Sequence, residues 1–226
     1  MKIFYTLLCF LFLYKVSNSQ ELTHNFVDLK LPSGNLWATC NIGASSPEEY
    51  GYHFAWAETS PHPDSLYTWA TYKYLKKVDK YGGAKMKKYC IQKKYGKIDN
   101  LVYLQESDDA ATYNWGADWK IPTYSDFKEL EDGCTWTWVT DYNQSGKSGY
   151  LGTSRYNNAY IFLPAAGSFY NGEYLFPNKN GTYWTSELHN RFSFYAFSFY
   201  FNKTFNVIDA SYRFQGLSIR PVKRNK

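Results

Sequence analysis

Apolar and polar residues alternate in short runs along most of this chain, and clusters of Gly, Pro, Asn, Asp and Ser separate the runs. Phe26-Val-Asp-Leu-Lys-Leu31 alternates and predicts a strand. Pro32-Ser-Gly-Asn35 predicts a turn and Leu36-Trp-Ala-Thr-Cys40 a second strand, so the described pattern opens with a hairpin. Tyr52-His-Phe-Ala-Trp-Ala57 predicts another short strand, and Tyr160-Ile-Phe-Leu163 one buried on both faces. Gly167–Gly181 reads as a polar loop. Phe194–Phe201 alternates again: Tyr195, Phe197, Phe199 and Phe201 are expected in the core, and Ala196, Ser198, Tyr200 and Asn202 on the open face. Asn202-Lys-Thr-Phe205 predicts a turn and Asn206-Val-Ile-Asp209 the return strand. Leu217–Val222 closes the domain, where Pro221 implies an edge or strand-end position.

Helical spacing occurs twice. Ser107 can cap a short helix with Asp108 and Asp109 in its first turn, where the helix dipole favours negative charge, and Gly116 stops it. Thr123 followed by Asp126 approximates a capping box for a second helix, with Phe127 and Leu130 on one face and Gly133 at its end.

The chain is unusually aromatic, with Tyr 23, Phe 16 and Trp 8, which suits half-buried pleated surfaces. Residues 1–19 have a basic Lys2, an apolar stretch Ile3–Tyr14 and a small-residue site Ser17-Asn-Ser19, the pattern of a secretory signal. That leaves residues 20–226 as a single domain, secreted, periplasmic or at the cell surface, with no transmembrane segment. The formal charge of +5 is uneven: ten lysines fall between Lys73 and Lys97, opposed only by Asp79. Residues 70–104 thus form a lysine-rich insertion. Basic residues interleaved with tyrosines can bind nucleic acid or acidic glycans, but such a run is more commonly a solvated surface loop, and the extracellular address argues against nucleic acid.

Beyond the signal there are three cysteines, Cys40, Cys90 and Cys134, enough for one disulfide and an odd thiol, and their spacing does not reveal the pairing. The four histidines, His24, His53, His62 and His189, are scattered and expected in surface loops. No metal-ligand spacing occurs, and nothing calls for a cofactor.

Several phrases appear in order along the chain: Leu36-Trp-Ala-Thr-Cys-Asn-Ile-Gly-Ala44, Tyr50–Glu58, Asp108-Asp-Ala-Ala111, Trp119-Lys-Ile-Pro-Thr123 and Phe127–Trp138. Ile161–Gly167, Tyr183-Trp-Thr-Ser186 and Gly216-Leu-Ser-Ile-Arg-Pro-Val222 complete the set. Together they resemble the Fibrobacter succinogenes major paralogous domain family, whose members are mostly secreted or envelope proteins of gut Bacteroidetes. The resemblance covers nearly all of residues 26–222. It implies an α+β domain of the C-type lectin-like, formylglycine-generating-enzyme-like architecture, with a twisted antiparallel sheet, two short helices and long loops. It also implies that Cys40 and Cys134 could pair, leaving Cys90 free. The cysteine pair that formylglycine-generating enzymes use in their C-terminal part has no counterpart here, since no cysteine follows Cys134.

Folds of that kind display ligand-contacting residues near the C-terminus. The expected function is therefore a non-catalytic binding module for glycan or protein, with Ser186–Arg213 as the displayed segment. Its candidate contacts are His189, Asn190, Arg191, Tyr200, Asn202, Asn206, Tyr212 and Arg213, since rigid aromatics and adaptable polar groups suit recognition. A structural or adhesin-type component of the envelope is the alternative. A carboxylate-dependent hydrolase is less favoured, because no nucleophile motif is present and only the abundance of Asp and Glu keeps it open.

Overall fold

The computed structural model describes residues 24–80 and 83–224; the signal expected over residues 1–19 lies outside them. The first half of the chain supplies short strands: β1 (Phe26–Val27), β2 (Leu36–Ala38), β3 (His53–Phe54), β4 (Leu75–Val78), β5 (Ala84–Met86) and β6 (Trp119–Lys120). Helix α1 (Ala110–Trp115) precedes β6 and α2 (Tyr124–Gly133) follows it. Then come β7 (Cys134–Val139), β8 (Gly149–Ser154), β9 (Tyr160–Pro164), β10 (Ser168–Tyr170) and β11 (Glu173–Leu175). The longest strands are β12 (Asn180–Leu188), β13 (Tyr195–Asn202) and β14 (Asn206–Tyr212), before the short β15 (Leu217–Ser218) and β16 (Val222–Lys223). The class is α+β.

The central sheet has the order β14-β13-β12-β15-β3, antiparallel except for the β12–β15 pair. A four-stranded sheet, β1-β2-β16-β6, and a three-stranded meander, β7-β8-β9, complete the body. Successive side chains of a strand point to opposite faces. In β12, Trp184 accordingly joins one buried cluster, with Trp56, Tyr67, Tyr72, Tyr89 and Leu217. Its neighbour Tyr183 joins a second, with Trp37, Phe127, Leu130, Leu163, Phe199 and Phe201. The three C-terminal phrases meet here. The Tyr183 hydroxyl donates to the Pro164 carbonyl at 2.8 Å, Tyr183 lies opposite Ser218, and the Trp184 indole donates to the Phe54 carbonyl at 2.7 Å. Arg220 is wholly buried, and its guanidinium donates to the Asn41 side chain and to the carbonyls of Ala38 and Thr39.

The opening hairpin forms as expected, with β1 antiparallel to β2. Helix α2 has its capping box: the Asp126 amide donates to Thr123 Oγ1 at 3.1 Å, and the Thr123 amide to the Asp126 carboxylate at 2.8 Å. Helix α1 begins later than expected. Its cap is Asp109, whose carboxylate accepts from the Ala111, Thr112 and Ile121 amides, while Ser107 sits in a preceding 3-10 turn.

Other expectations are corrected. Gly167–Gly181 is not an unstructured loop but carries the β10–β11 hairpin. Pro221 does sit between strand ends, yet neither flanking strand is an edge, because the chain crosses there from the interior of one sheet to the interior of the other. In β13, Phe199 and Phe201 are buried as predicted, but Ala196 and Ser198 are buried too, and Tyr195 and Phe197 are only half-buried. Both faces of that strand are covered at its first half, so simple alternation fails there. Tyr160, expected in a two-sided core, is 58% exposed. His53 is buried in β3, not in a surface loop.

The lysine-rich insertion is also corrected. It is no loose loop: β4 and β5 pair as a hairpin, and Tyr72, Tyr74, Ala84, Met86 and Tyr89 are anchored in the first core cluster. The reason is a buried polar knot. The Asp108 carboxylate accepts from the Tyr74 and Tyr89 hydroxyls at 2.6 and 2.7 Å and from Lys88 at 2.5 Å. Burial opposes its ionisation, but Lys88 and the two hydroxyls outweigh burial and hold its pKa below the usual carboxylate range.

Candidate functional site

The strongest candidate is a groove of about 460 Å³ on the central sheet, opposite the Phe199 and Phe201 face. Strand register builds its floor. Thr182 lies opposite Tyr200, Tyr200 opposite Val207, Ser198 opposite Asp209 and Ala196 opposite Ser211, so their side chains share one face across three strands. Ser198 and Ser211 join hydroxyls at 2.9 Å. Phe176, just after β11, and Phe205, in the β13–β14 turn, also line the groove and are 55% and 50% exposed. Phe176 adopts φ +53°, a left-handed conformation that bulky side chains rarely take and that costs on the order of 1–3 kcal/mol. Its carbonyl is tied down by the Lys179 and Asn180 amides at 3.1 Å each.

Asn202 shapes this end of the sheet. Its side-chain oxygen accepts from the Thr204 and Phe205 amides and from the Thr204 hydroxyl, closing the turn that carries Phe205. Its amide nitrogen donates to the Tyr200 hydroxyl at 3.1 Å. The Tyr200 and Phe205 rings lie 5.6 Å apart. Asn202 is thus a positioning residue, with its acceptor oxygen already used.

The eight candidate contacts do not form one patch. Tyr200 lines the groove; Asn202 and Asn206 flank it, half-buried, at the turn. Tyr212 lies opposite Tyr195 at the other end of the β13–β14 ladder. Six residue steps of roughly 3.3 Å put that end on the order of 20 Å away. There Tyr212 packs at 4.5 Å against Tyr195 and at 5.5 Å against Phe214, and burial followed by the Tyr212 hydroxyl pushes the Tyr195 phenol up. Asn190 and Arg191 are exposed at the same end. His189 caps their turn, its Nδ1 accepting from the Arg191 and Phe192 amides. Burial, then Arg191, lowers its pKa, which favours the neutral ring that an accepting Nδ1 requires.

Arg213 is a correction: it is wholly buried and cannot contact a ligand. Its guanidinium donates to the Tyr72 hydroxyl and to the Lys88, Tyr89 and Ser193 carbonyls, and lies 4.8 Å from the Trp56 ring centroid. The strand ends at Tyr212, so the next residue turns inward. Thr182, Asp209, Ser211, Gln215, Phe176 and Phe205 were not singled out from sequence. For Asp209 and Ser211 the signal is the same alternation that picks Ser198 and Tyr200, extended across the turn. For Phe176 there is none, because an apolar Leu-Phe pair before Pro177 reads as core.

Three further cavities are present. A cleft of about 410 Å³ is lined by Tyr52, His53, His62, Tyr67, Phe169 and Tyr174. Its polar atoms are used internally: the His53 Nε2 and the Tyr174 hydroxyl both donate to the Ala166 carbonyl, and the Tyr67 hydroxyl donates to the His53 carbonyl. A cavity of about 610 Å³ is lined by Tyr142, Asn143, Asn158, Tyr160 and Phe162. A polar cleft of about 420 Å³ holds Glu106, Asp109, Lys120 and Asp126. Burial raises the Asp109 pKa, but both its oxygens accept backbone amides, and Asp126 serves the α2 cap and the Asn35 amide, so these two carboxylates work as caps.

Among the described residues no group of three or more His, Cys, Asp or Glu is placed to hold a metal ion. None of their helices is long and apolar enough to cross a membrane. Cys40, Cys90 and Cys134 are free thiols, so the expected Cys40–Cys134 bridge is not formed. Cys134 is buried with Leu29, Leu31 and Phe127, while Cys40 is partly open with its sulfur beside the Thr39 hydroxyl. Comparison with protein-family models, with curated proteins and with solved structures found no match.

Proposed function

We propose that this chain is a non-catalytic glycan-recognition module of C-type lectin-like architecture, acting outside the cytoplasm or in a cell envelope as the phrase resemblance suggests. The observation that carries the reading is the rim of the sheet groove. Two exposed phenylalanines, one on a strained backbone, stand over a floor of Ser, Thr, Asp and Gln side chains. Strained conformations persist where the surrounding structure enforces them, and they concentrate at binding sites. Rings supply stacking area for the apolar face of a sugar, and the Asp209, Ser211 and Gln215 side chains, which reach the open face, supply groups for its hydroxyls. A groove this open suits a chain of sugars more than an enclosed small molecule.

The test is a glycan array probed with the protein and with a Phe176→Ala/Phe205→Ala variant, near-ultraviolet circular dichroism confirming the fold of each. Saturable binding to a defined glycan is expected. The variant should bind at least about tenfold more weakly, since losing two stacking rings costs upward of about 1.4 kcal/mol. Undiminished binding by a folded variant would remove the groove as the site. Binding of a protein ligand alone would replace the glycan reading.

A further inference from the structure

The β4–β5 hairpin and its flanks segregate charge in a way the fold does not need. The carboxylates of this region are engaged by their own neighbours, and Asp108 is buried. Asp99 accepts the Tyr89, Cys90 and Leu101 amides. Asp108 is spent on Tyr74, Tyr89 and Lys88, and Asp79 on the Gly83 amide and Lys85. Beyond Lys85 and Lys88, most of the lysines stand open to solvent. Lys76, Lys77, Lys93, Lys94 and Lys97 are exposed. In the hairpin Lys77 lies directly opposite Lys85, a like-charge cross-strand pair that destabilises a two-stranded ladder. A solvated loop would spread such charges apart; a hairpin anchored by four buried aromatic or sulfur side chains, Tyr72, Tyr74, Met86 and Tyr89, holds them in place. Charges fixed within a Debye length of about 8 Å add their fields instead of screening one another.

Beside this array lies an aromatic step. Tyr95 and Phe192 have ring centroids 6.3 Å apart, Lys94 sits 4.7 Å from the first centroid and 5.8 Å from the second, and Phe192 is 38% exposed next to exposed Arg191. None of the four cavities described above takes a lysine from this segment. A row of cations ending on open rings fits an extended polymer laid across the surface.

We propose that the lysine hairpin, with Lys94, Arg191 and Phe192, is a second binding surface, separate from the sheet groove, for a linear polysaccharide bearing carboxylate or sulfate groups. The lysines pair with its anionic groups and Phe192 stacks on a sugar ring. This surface takes over two of the C-terminal candidates, Arg191 and its neighbour Asn190, which the groove does not reach.

The experiment measures binding of polygalacturonate, dextran sulfate, neutral dextran and a DNA duplex at several salt concentrations. The proteins are the native chain, Lys76→Glu/Lys77→Glu/Lys93→Glu, a charge-matched Lys30→Glu/Lys128→Glu/Lys179→Glu control, and Phe192→Ala. Thermal unfolding checks the fold of each. The expected result is binding of at least one anionic polysaccharide but not of neutral dextran, weakening as salt rises. It should fall tenfold or more in the hairpin variant, less than threefold in the control, and measurably in Phe192→Ala. The Phe176→Ala/Phe205→Ala variant should bind the polyanion normally, which separates failure here from failure of the groove. Equal losses in the hairpin variant and the control would reduce the effect to net charge and overturn the proposal. So would absence of polysaccharide binding, or preference for DNA over every polysaccharide.

Discussion

His62 and His53 lie in one aromatic cleft and are driven in opposite directions. His62 donates from Nε2 to the Glu58 carboxylate at 2.7 Å and from Nδ1 to the Leu66 carbonyl at 2.9 Å. An imidazole that donates from both nitrogens is the doubly protonated imidazolium. The Glu58 hydrogen bond, against the effect of burial, raises its pKa above the ordinary value. Its contribution to stability is therefore complete below pH about 6.5 and is lost as pH rises through the higher folded value. Burial instead pushes His53 down to about 4, with its Nε2 proton held by Ala166. Between pH about 6.5 and about 4 the unfolded chain binds the proton that folded His53 refuses, so that histidine costs on the order of 3 kcal/mol of stability as pH falls across this range. Urea unfolding of the protein and of His62→Gln as a function of pH checks the first effect. The native chain should lose stability relative to the variant as pH rises from 6.5 to 8.5, and parallel curves would refute the ion pair.

At the scale of elements, α2 depends on its first turn. Its ten residues bury Phe127 and Leu130, and the Phe127 ring packs against Trp37 at 5.2 Å and Phe199 at 5.1 Å. A helix this short is marginal alone and needs both its cap and its packing. Thr123→Ala removes the Oγ1 acceptor of the Asp126 amide, and the expected loss is about 1 kcal/mol, or roughly 2–4 °C in melting temperature for a chain of this size. Calorimetry checks it, with Ser125→Ala, an exposed position in the same turn, as the neutral comparison. This element was fully legible in advance, because a capping box and two apolar positions three apart are local signals. Helix α1 was only half legible: Ser107 and Asp109 are equally good caps by type, and the choice fell to Asp109 because the distant Ile121 amide also needs an acceptor.

Across the whole molecule, strands far apart in sequence are knitted by single side chains. Trp56 donates to the Thr185 carbonyl at 2.9 Å, Trp184 to Phe54, and Arg220 to Ala38 and Thr39. Among the described residues no disulfide joins this arrangement. Burial pushes the Cys134 thiol up to about 11, which leaves it protonated and unreactive at neutral pH. Thermal unfolding should therefore have the same midpoint with and without reductant, and alkylation after denaturation should label Cys40, Cys90 and Cys134 alike. A bridge such as Cys40–Cys134 closes a long loop worth roughly 2–4 kcal/mol, so a drop of several degrees on reduction would reveal one.

Local pattern alone determined the opening hairpin, the capped helix α2 and the β13–β14 hairpin. In each, neighbours in sequence are also partners in space, so periodicity and turn chemistry carry the information. Tertiary structure decided the rest. It buried Arg213 in an aromatic cage, turned the lysine-rich segment from a loop into an anchored hairpin around Asp108, left the cysteines apart, and split the C-terminal candidates between two ends of one ladder. Those outcomes depend on which groups meet across long stretches of chain, on where a buried charge finds its acceptors, and on whether a strand's second face is covered.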